Sequence, residues 1–313
     1  MSKSFSTFFK RLTNNLKYSF KFVQKKLKKR NDLQSAEQIP KILKLLIYTI
    51  SLVSSKTTTA VLGYIFSRPL RHKPHVREKE FIRSSKKEIH FIPSINKRIK
   101  TYELEGSGKK VLLVHGWSGR GSQLSSIAKE CNKKGFFVVS FDAPAHGGSS
   151  SHTTNVPEFV EAINFLNTTK GPFDYAIGHS FGGASIFNYC RKHRGFEKIV
   201  VIGTQSKLST YFAEFIKIMG LKEDYSKKIM TLFSKRVGEK ILDYDPENFV
   251  RNIPSKTLII HCSDDNYVSF GSAVILTKEL KNSELYKTTG LGHRKILGDK
   301  KTINRLVDFL IKN

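Results

Sequence analysis

The sequence has few cysteines and lacks the residue spacings that hold common metals and nucleotides. Its cysteines are Cys131, Cys190 and Cys262, with no C-x-x-C pair. Neither a disulfide framework nor a thiolate metal site is indicated, and a reducing compartment, the cytoplasm, is expected. The chain also has no H-E-x-x-H, no G-x-x-x-x-G-K-[ST] and no dinucleotide fingerprint. We therefore expect no metal and no nucleotide cofactor.

A long uncharged apolar run is also absent. The most apolar stretch, residues 39–66, contains Lys44 and Lys56, which leave only an 11-residue uncharged run between them. A membrane-spanning helix needs about 18 such residues, and a charge near its centre costs about 2.5 to 3.5 kcal/mol. The stretch therefore predicts two short helices packed on the domain or at a membrane interface. The extreme N-terminus also lacks the apolar core of a cleavable signal peptide.

Acidic residues are scarce in the N-terminal third. The chain has a net charge of +28, and residues 1–100 contain 24 Lys and Arg against 5 Asp and Glu. The remaining residues are more balanced, with 30 basic against 21 acidic side chains. A strongly basic segment is attracted to phosphate, either on nucleic acid or on an anionic membrane surface.

The first 28 residues place apolar side chains every three or four positions. This stripe comprises Phe5, Phe9, Leu12, Leu16, Phe20, Val23 and Leu27. Lysines fall on the opposite side, and no acidic residue precedes Asp32. The pattern predicts a basic amphipathic helix that binds an anionic membrane surface, so residues 1–66 are a candidate peripheral contact with the inner face of a membrane. The alternatives are docking on the protein's own core or a partner, and a transit peptide, which the preference for Lys over Arg disfavours.

Nucleic acid is not an expected partner. The aromatic side chains of the leader share one apolar stripe, which favours burial over stacking on bases. A linker, "SRPLRHKPHVREKE", follows at 67–80 and has two prolines and alternating charges. We therefore divide the chain into a basic helical extension with its linker, residues 1–80, and a domain over residues 81–313.

From residue 88 onward, short apolar runs alternate with helical patterns. Strands are predicted over 88–92, 98–104, 110–115, 136–141, 174–178, 198–202, 256–261 and 284–287, and helices near 122–134, 156–168, 181–193, 270–281 and 301–312. The central runs "VLLVH", "FFVVSF", "YAIGH", "IVVIG" and "TLIIH" are apolar without alternation, as in parallel strands covered on both faces. The first strands are joined by a turn and the later ones by helices. The fold class is therefore α/β, with a mixed sheet that is antiparallel at one edge.

The stretch "DYAIGHSFGGASIFNYC" places Ser180 between a predicted strand and a predicted helix. A serine at such a corner has a strained backbone, and its neighbours two positions away must be small so that strand and helix can approach. Gly178 and Gly182 meet that requirement. The corner also points the N-terminus of the following helix at any negative charge that develops there. Ser180 is therefore either a nucleophile or simply a small residue at a tight corner.

Five blocks taken in order resemble the α/β-hydrolase superfamily, over about residues 88–313. They are "HGWSGRGSQL" at 115, "FDAPAHGGSS" at 141, "GHSFGG" at 178, "HCSDDNYV" at 261 and "GLGHRKIL" at 290. With "FSRPLR" at 66, the last block also resembles a group of bacterial hydrolases with a short helical leader. The resemblance implies an α/β-hydrolase fold of the esterase and lipase type, with helices around a mostly parallel sheet and a helical lid.

The resemblance assigns roles to three side chains. Ser180 attacks a substrate carbonyl, His293 removes and later returns the proton, and a carboxylate orients His293. Asp265 lies three residues before Val268, as in the family's D-x-x-V spacing, and Asp264 remains the alternative acid. The chain order of serine, acid and histidine agrees with the family.

Two main-chain N–H groups, those of Trp117 and Phe181, are the implied oxyanion donors. The other polar residues near the motifs have structural interpretations. His115 and His146 are expected to hydrogen-bond within their loops and His179 to pack beside the nucleophile. Asp142 is expected to hold its own loop in place.

Residues 205–252 are too long for a simple crossover and correspond to the family's lid. They contain an apolar cluster at helical spacing, Tyr211, Phe212, Phe215, Ile216, Ile218, Met219 and Leu221. An apolar lid favours an acyl chain or another apolar substrate. The alternative is that this helix face packs on the core.

The expected function is that of a serine hydrolase acting on a small-molecule carboxylic ester through an acyl-enzyme, without metal or cofactor. A thioester or a lysophospholipid fits equally. The alternative is a non-catalytic receptor that uses the same residues as a ligand pocket.

Overall fold

The computed structural model describes residues 39–312, and the predicted amphipathic helix of residues 1–28 lies outside that range. Its centre is one sheet of eight strands: β1 (Lys86–Ile92), β2 (Lys97–Leu104), β3 (Lys110–Val114), β4 (Phe137–Asp142), β5 (Tyr175–His179), β6 (Lys198–Ile202), β7 (Lys256–Cys262) and β8 (Ser283–Thr288). The strand order is β1-β2-β4-β3-β5-β6-β7-β8. The β1–β2 and β2–β4 pairs are antiparallel and all other pairs are parallel, which confirms the predicted mixed sheet.

Helices connect the strands and precede the sheet. In chain order they are α1 (Lys41–Val53), α2 (Ser55–Phe66), α3 (Val76–Ser84), α4 (Ser125–Lys133), α5 (Val156–Thr169), α6 (Phe181–Lys192), α7 (Thr210–Met219), α8 (Asp224–Val237), α9 (Phe270–Glu279), α10 (Gly292–Lys295) and α11 (Lys300–Ile311). The predicted helices near 122–134, 156–168, 181–193, 270–281 and 301–312 correspond to α4, α5, α6, α9 and α11.

The central strands are mainly apolar, without alternation, because each of their faces is covered by helices. Val111 and Leu113 of β3 contact a cluster that contains α3, α4 and α11. Leu112 and Val114 of the same strand point to the other face and join a cluster that contains α5, α6 and α9. The sheet therefore lies between two helical layers, each with its own apolar core.

The parallel strands direct their carboxyl ends to one edge of the sheet. The segments that follow β3, β5, β7 and β8 contain the four blocks at 115, 178, 261 and 290. In an open α/β sheet this edge is where ligands bind, because the loops there converge while the strands below hold them rigidly. The topology therefore brings together residues that are distant along the chain.

A separate group of four helices, which we call the cap, consists of α1, α2, α7 and α8. Its buried side chains form one cluster, Leu43, Ile47, Val61, Leu62, Phe212, Ile216, Met219, Tyr225, Ile229 and Phe233. At the junction of these helices the Phe66 ring stacks on Phe212 with centroids 4.4 Å apart and meets Phe233 edge-on at 5.6 Å. The two helices that precede the linker therefore share a core with the helices between β6 and β7.

The two short helices predicted for residues 39–66 are confirmed as α1 and α2. They are separated at Ser54, whose side chain accepts the N–H of Thr57 and caps α2. No helix among residues 39–312 is long and apolar enough to cross a membrane.

The predicted linker of residues 67–80 is only partly extended. Its second half begins α3 at Val76, a helix that the sequence analysis did not predict. The physical reason is a capping box, in which the His75 side chain accepts a main-chain N–H and the Glu78 carboxylate accepts the His75 N–H. Because charges alternate along this stretch, its sequence did not indicate that a helix starts there.

Leu62→Ala tests whether the N-terminal helices are part of the folded core. Leu62 is completely buried in the cap, so we expect its truncation to lower the free energy of unfolding by about 2 to 5 kcal/mol. Leu52→Ala is the matched control, because Leu52 is exposed and its loss should cost less than about 0.5 kcal/mol. Urea unfolding measures both values. Equal stabilities for the two variants would show that α2 does not fold together with the domain.

Candidate active site

Ser180 occupies the one-residue corner between β5, which ends at His179, and α6, which begins at Phe181. Its φ of 54° and ψ of −121° are strained for a residue with a side chain. The Ser180 N–H donates to the Ile202 carbonyl at 2.8 Å, at the end of the neighbouring strand. This bond anchors the corner to the sheet while the side chain lies at the carboxyl edge, where Ser180 is 8% exposed.

The space around the corner requires glycine. A Cβ at Gly182 would overlap the carbonyl oxygens of Val114 and His115, and a Cβ at Gly178 would overlap the main chain of the first turn of α6. A Cβ at Gly116 would lie only 3.0 Å from that of Ser180. The strand, the helix and the loop after β3 can therefore approach one another only because these positions lack side chains.

Asp265 and His293 form a hydrogen-bonded pair in the site. His293 Nδ1 donates to Asp265 Oδ2 at 2.7 Å, and the Asp265 side chain is 1% exposed. Asp264, the alternative acid, points outward and accepts the Gly290 N–H at 2.7 Å. The structure therefore places Asp265 against the imidazole, while Asp264 orders the turn that leads to it.

The Asp265 carboxylate is held ionised by its hydrogen bonds. Burial raises the pKa of this carboxyl, but the bond from His293 and the N–H groups of Val268 and Tyr267 outweigh burial, so the pKa lies below its ordinary value. Those two N–H groups donate to Oδ1 at 3.0 Å and 2.8 Å. Oδ2 is thereby left to accept from His293, and Nε2 remains the basic nitrogen of that imidazole.

His179 connects the corner to the histidine loop. Its Nε2 donates to the His293 carbonyl oxygen at 3.0 Å, and the two rings lie 4.6 Å apart between centroids. Burial lowers the pKa of His179 well below its ordinary value, so this ring stays neutral. Within residues 39–312 no hydrogen bond joins the Ser180 hydroxyl to the His293 ring. Ser180 thus lies beside Asp265 and His293, which are hydrogen-bonded to each other.

Tyr211, from the first turn of α7, reaches Ser180 from the cap. Burial raises the pKa of its phenol, the carboxylates of Glu214 and Asp265 raise it further, and a hydrogen bond with the Ser180 side chain acts in the opposite direction. The phenol therefore stays protonated beside the serine. The sequence placed Tyr211 in an apolar cluster and carried no motif that would have indicated this contact.

Part of the apolar cluster predicted for the lid forms the buried core of the cap. Phe212, Ile216 and Met219 of α7 are buried in the cap against α1 and α2. The alternative interpretation, in which this helix face packs on the protein, therefore applies to these three side chains. Their partners come from the N-terminal helices, which the sequence did not connect with the lid.

The two expected oxyanion donors lie on either side of the corner. Phe181 is the first residue of α6, so its N–H is one of the unpaired donors at a helix N-terminus. Trp117 follows β3, and its ring packs edge-on against Phe181 with centroids 5.3 Å apart. Within residues 39–312 neither N–H donates to a protein acceptor, which leaves both available to an anionic oxygen.

Two buried histidines hold the loops that carry Trp117. His115 Nε2 accepts the Ala143 N–H at 3.0 Å, and His146 Nε2 accepts the Ser118 N–H at 3.0 Å. The Nδ1 of each ring faces a main-chain carbonyl oxygen, so Nδ1 carries the proton. Burial lowers the pKa of both rings. Their expected role within the loops is confirmed.

Asp142 holds its loop in place, as predicted. Its Oδ1 accepts the Gly121 N–H at 2.8 Å, and its Oδ2 accepts the Gly148 N–H at 2.8 Å and the Tyr102 hydroxyl at 3.0 Å. These bonds tie together the segments after β3 and β4. The carboxylate is fully used in this way and does not point at the serine corner.

The segment before α3 also orders the site, which the sequence did not indicate. The Leu70 N–H donates to the Ser118 hydroxyl at 3.0 Å. The Arg71 guanidinium donates to the carbonyl oxygens of Ala145 at 2.9 Å and Ser149 at 2.7 Å. The segment predicted as a linker therefore crosses the loops after β3 and β4 and holds them in place, as His115 and His146 also do.

One group of potential metal ligands occurs within residues 39–312, namely Glu88, His90 and Glu103 on β1 and β2. These strands form the edge of the sheet opposite to β8, away from the serine corner. The Lys170 ammonium lies 2.5 Å from a Glu88 carboxylate oxygen and 3.1 Å from one of Glu103. The Lys170 ammonium therefore pairs with both of these carboxylates.

Comparison with known proteins agrees with this arrangement. Residues 109–223 match the family model described as "alpha/beta hydrolase fold". The chain has the α/β-hydrolase fold.

Related proteins cover most of this α/β-hydrolase chain at low identity. AB hydrolase superfamily protein YisY of Bacillus subtilis is 22% identical over 248 residues, which are 64% of this chain and 91% of that protein. The solved esterase EaEST of Exiguobacterium antarcticum is 17% identical, covers 72% of this chain and 99% of its own, and has a TM-score of 0.57. A lipase structure from Acinetobacter baumannii, described as putative, is 18% identical, covers 77% and 98%, and scores 0.58. The structural likeness shows the shared fold.

The buried neutral histidines predict an acid-sensitive fold. The pKa values of His115, His146, His179 and His261 are all lowered by burial. An unfolded histidine titrates near 6.5. Below that pH the unfolded chain therefore binds protons that the folded chain excludes, and stability falls by up to about 1.4 kcal/mol per pH unit for each ring.

Urea unfolding at pH 7.5, 6.5 and 5.5 measures this dependence. We expect the free energy of unfolding to decrease steadily across the series. His146→Gln should show a shallower decrease, because glutamine can still accept the Ser118 N–H but cannot be protonated in this range. Parallel slopes for the two proteins would contradict the assignment of a neutral His146.

Proposed function

We propose that this protein is a serine hydrolase that cleaves a carboxylic ester through an acyl-enzyme. The observation that carries the proposal is the 2.7 Å hydrogen bond between His293 and Asp265, next to a strained Ser180. A buried carboxylate on Nδ1 of a histidine orients the ring and stabilises it once it is protonated. Beside a serine at a helix N-terminus, such a histidine can accept the proton of the serine hydroxyl.

In the proposed reaction His293 Nε2 accepts the proton of the Ser180 hydroxyl as the oxygen attacks the ester carbonyl. Asp265 stabilises the resulting imidazolium, which then protonates the departing alcohol. Water attacks the acyl-enzyme in the second half, with His293 again serving first as base and then as acid. The N–H groups of Trp117 and Phe181 would donate to the carbonyl oxygen when it carries negative charge.

Access to the serine requires movement of the cap in this proposal. Ser180 and His293 are 8% and 9% exposed, and Tyr211 contacts the serine from α7. A substrate carbonyl that reaches the Ser180 oxygen takes the place of the Tyr211 phenol. Tyr211 is then positioned to donate to an oxygen of the bound ester.

The surroundings of the corner favour an apolar acyl group. Phe181 and Tyr211 pack with Leu208 and Ala184 in an apolar cluster next to Ser180. An ester, a thioester and a lysophospholipid all present such a chain together with a carbonyl. Two of the similar structures are named as an esterase and a lipase, which supports hydrolysis in general. The apolar acyl substrate is proposed from the surroundings of Ser180 alone.

Ser180→Ala tests the nucleophile. We expect hydrolysis of p-nitrophenyl butyrate to fall by at least about a thousandfold, while circular dichroism and urea unfolding remain like those of the wild type. A fluorophosphonate probe should label the wild-type protein at Ser180 and leave the variant unlabelled. Undiminished turnover in the variant would refute the proposal. An unlabelled wild type would favour a non-catalytic receptor.

A pair of aspartate variants tests the acid. Asp265→Asn should lower kcat by roughly 10³ to 10⁴, because the amide can no longer orient and stabilise the His293 imidazolium. Asp264→Asn is the matched control, since this side chain points outward and should cause a much smaller loss. Steady-state kinetics on the same ester measures both effects. A larger loss in Asp264→Asn would assign the role to the other carboxylate.

A further inference from the structure

We propose that the outer face of α1 binds an anionic lipid bilayer. This face consists of large apolar side chains that are 51% to 88% exposed: Ile42, Leu45, Leu46, Leu52 and Val53. A single exposed leucine is ordinary on a protein surface, but a contiguous set on one helix marks an interaction surface.

The geometry of α1 separates this face from the one that packs on the cap. At 100° per residue the five side chains fall within an arc of about 120°. Leu43 and Ile47 point to the opposite side and are buried in the cap cluster. The helix is therefore apolar on both sides, as is typical of a segment that is buried on one side and covered by a second apolar phase on the other.

The polar groups on α1 do not interrupt the outer face. Thr49 lies within the same arc, and its hydroxyl donates to the Leu46 carbonyl of the helix itself at 2.8 Å. Ser51 lies on the opposite half of the helix and is not part of this face. The Thr49 hydroxyl can therefore enter an apolar phase without losing its partner, which removes most of the cost of burying it.

The charges next to this face select the occupant. At 100° per residue Lys41 lies about 20° outside the arc of the apolar face, Lys44 lies on the opposite half of α1, and Lys56 belongs to α2. Residues 39–66 contain no acidic side chain. A bilayer with anionic headgroups matches both the apolar face and the positive charge of these two helices. The basic leader is a poorer match, because residues 1–31 are also free of acidic side chains and would bring like charge to the same place.

The location of the face gives it a functional consequence, which rests on the proposed function. α1 shares the cap core with α7, and Tyr211 of α7 contacts Ser180. A bilayer bound to α1 would therefore lie on the outer side of the cap, which a substrate has to displace. The substrate class this arrangement fits is an acyl ester drawn from the bilayer, such as a lysophospholipid.

The test is sedimentation of the full-length protein with vesicles. We expect binding to vesicles of phosphatidylcholine with phosphatidylglycerol, and much weaker binding to phosphatidylcholine alone or in high salt. Leu45→Glu with Leu52→Glu should lower the partition coefficient by about tenfold or more, because two apolar side chains no longer enter the bilayer. The matched control is Val274→Glu with Ile275→Glu, an exposed apolar pair on α9, which should bind like the wild type.

Two results would overturn the inference. The first is unchanged vesicle binding of the Leu45/Leu52 variant; a lower stability of that variant in urea would then indicate the chain's own leader as the occupant. The second is a dimer in size-exclusion chromatography that this variant dissociates, which would make a second copy of the chain the occupant. Ser180→Ala should bind vesicles like the wild type, so failure of the proposed chemistry is distinguishable from failure of this inference.

Discussion

The close approach of β5, α6 and the loop after β3 around Ser180 is the constraint on which the rest of the site depends. A positive φ at a residue with a side chain persists only when its surroundings leave no alternative. Here Gly116, Gly178 and Gly182 remove every side chain that would separate the three elements, and the Ser180 N–H is bonded to the end of β6. The buried sheet therefore holds the strained backbone of Ser180 in place.

The polar loops above the sheet are ordered by groups that keep one protonation state. His115 and His146 each accept a main-chain N–H through Nε2, and His179 donates through the same atom. Burial holds all three rings neutral. His293 differs because its Nδ1 faces the Asp265 carboxylate at 2.7 Å. The chemical difference between the structural histidines and the proposed base thus follows from the partner at one ring nitrogen.

The N-terminal part of the chain belongs to the site as well as to the surface. Leu70 and Arg71 bind the loops after β3 and β4, and α1 and α2 share a core with α7, which carries Tyr211. The cover of the serine and the exposed apolar face of α1 are therefore parts of one packed unit.

Local pattern alone determined the order of strands and helices along the chain and the glycines at the corner, because apolar runs and small residues at a bend are required by nearby backbone geometry. The blocks that contain Asp265 and His293 were identified by their resemblance to a family. The hydrogen bond between Asp265 and His293, the contact of Tyr211 with Ser180, and the joining of α1 and α2 to α7 were decided only by tertiary packing. Each depends on which side chains meet across elements far apart in the chain, and spacing along a sequence does not encode that distance.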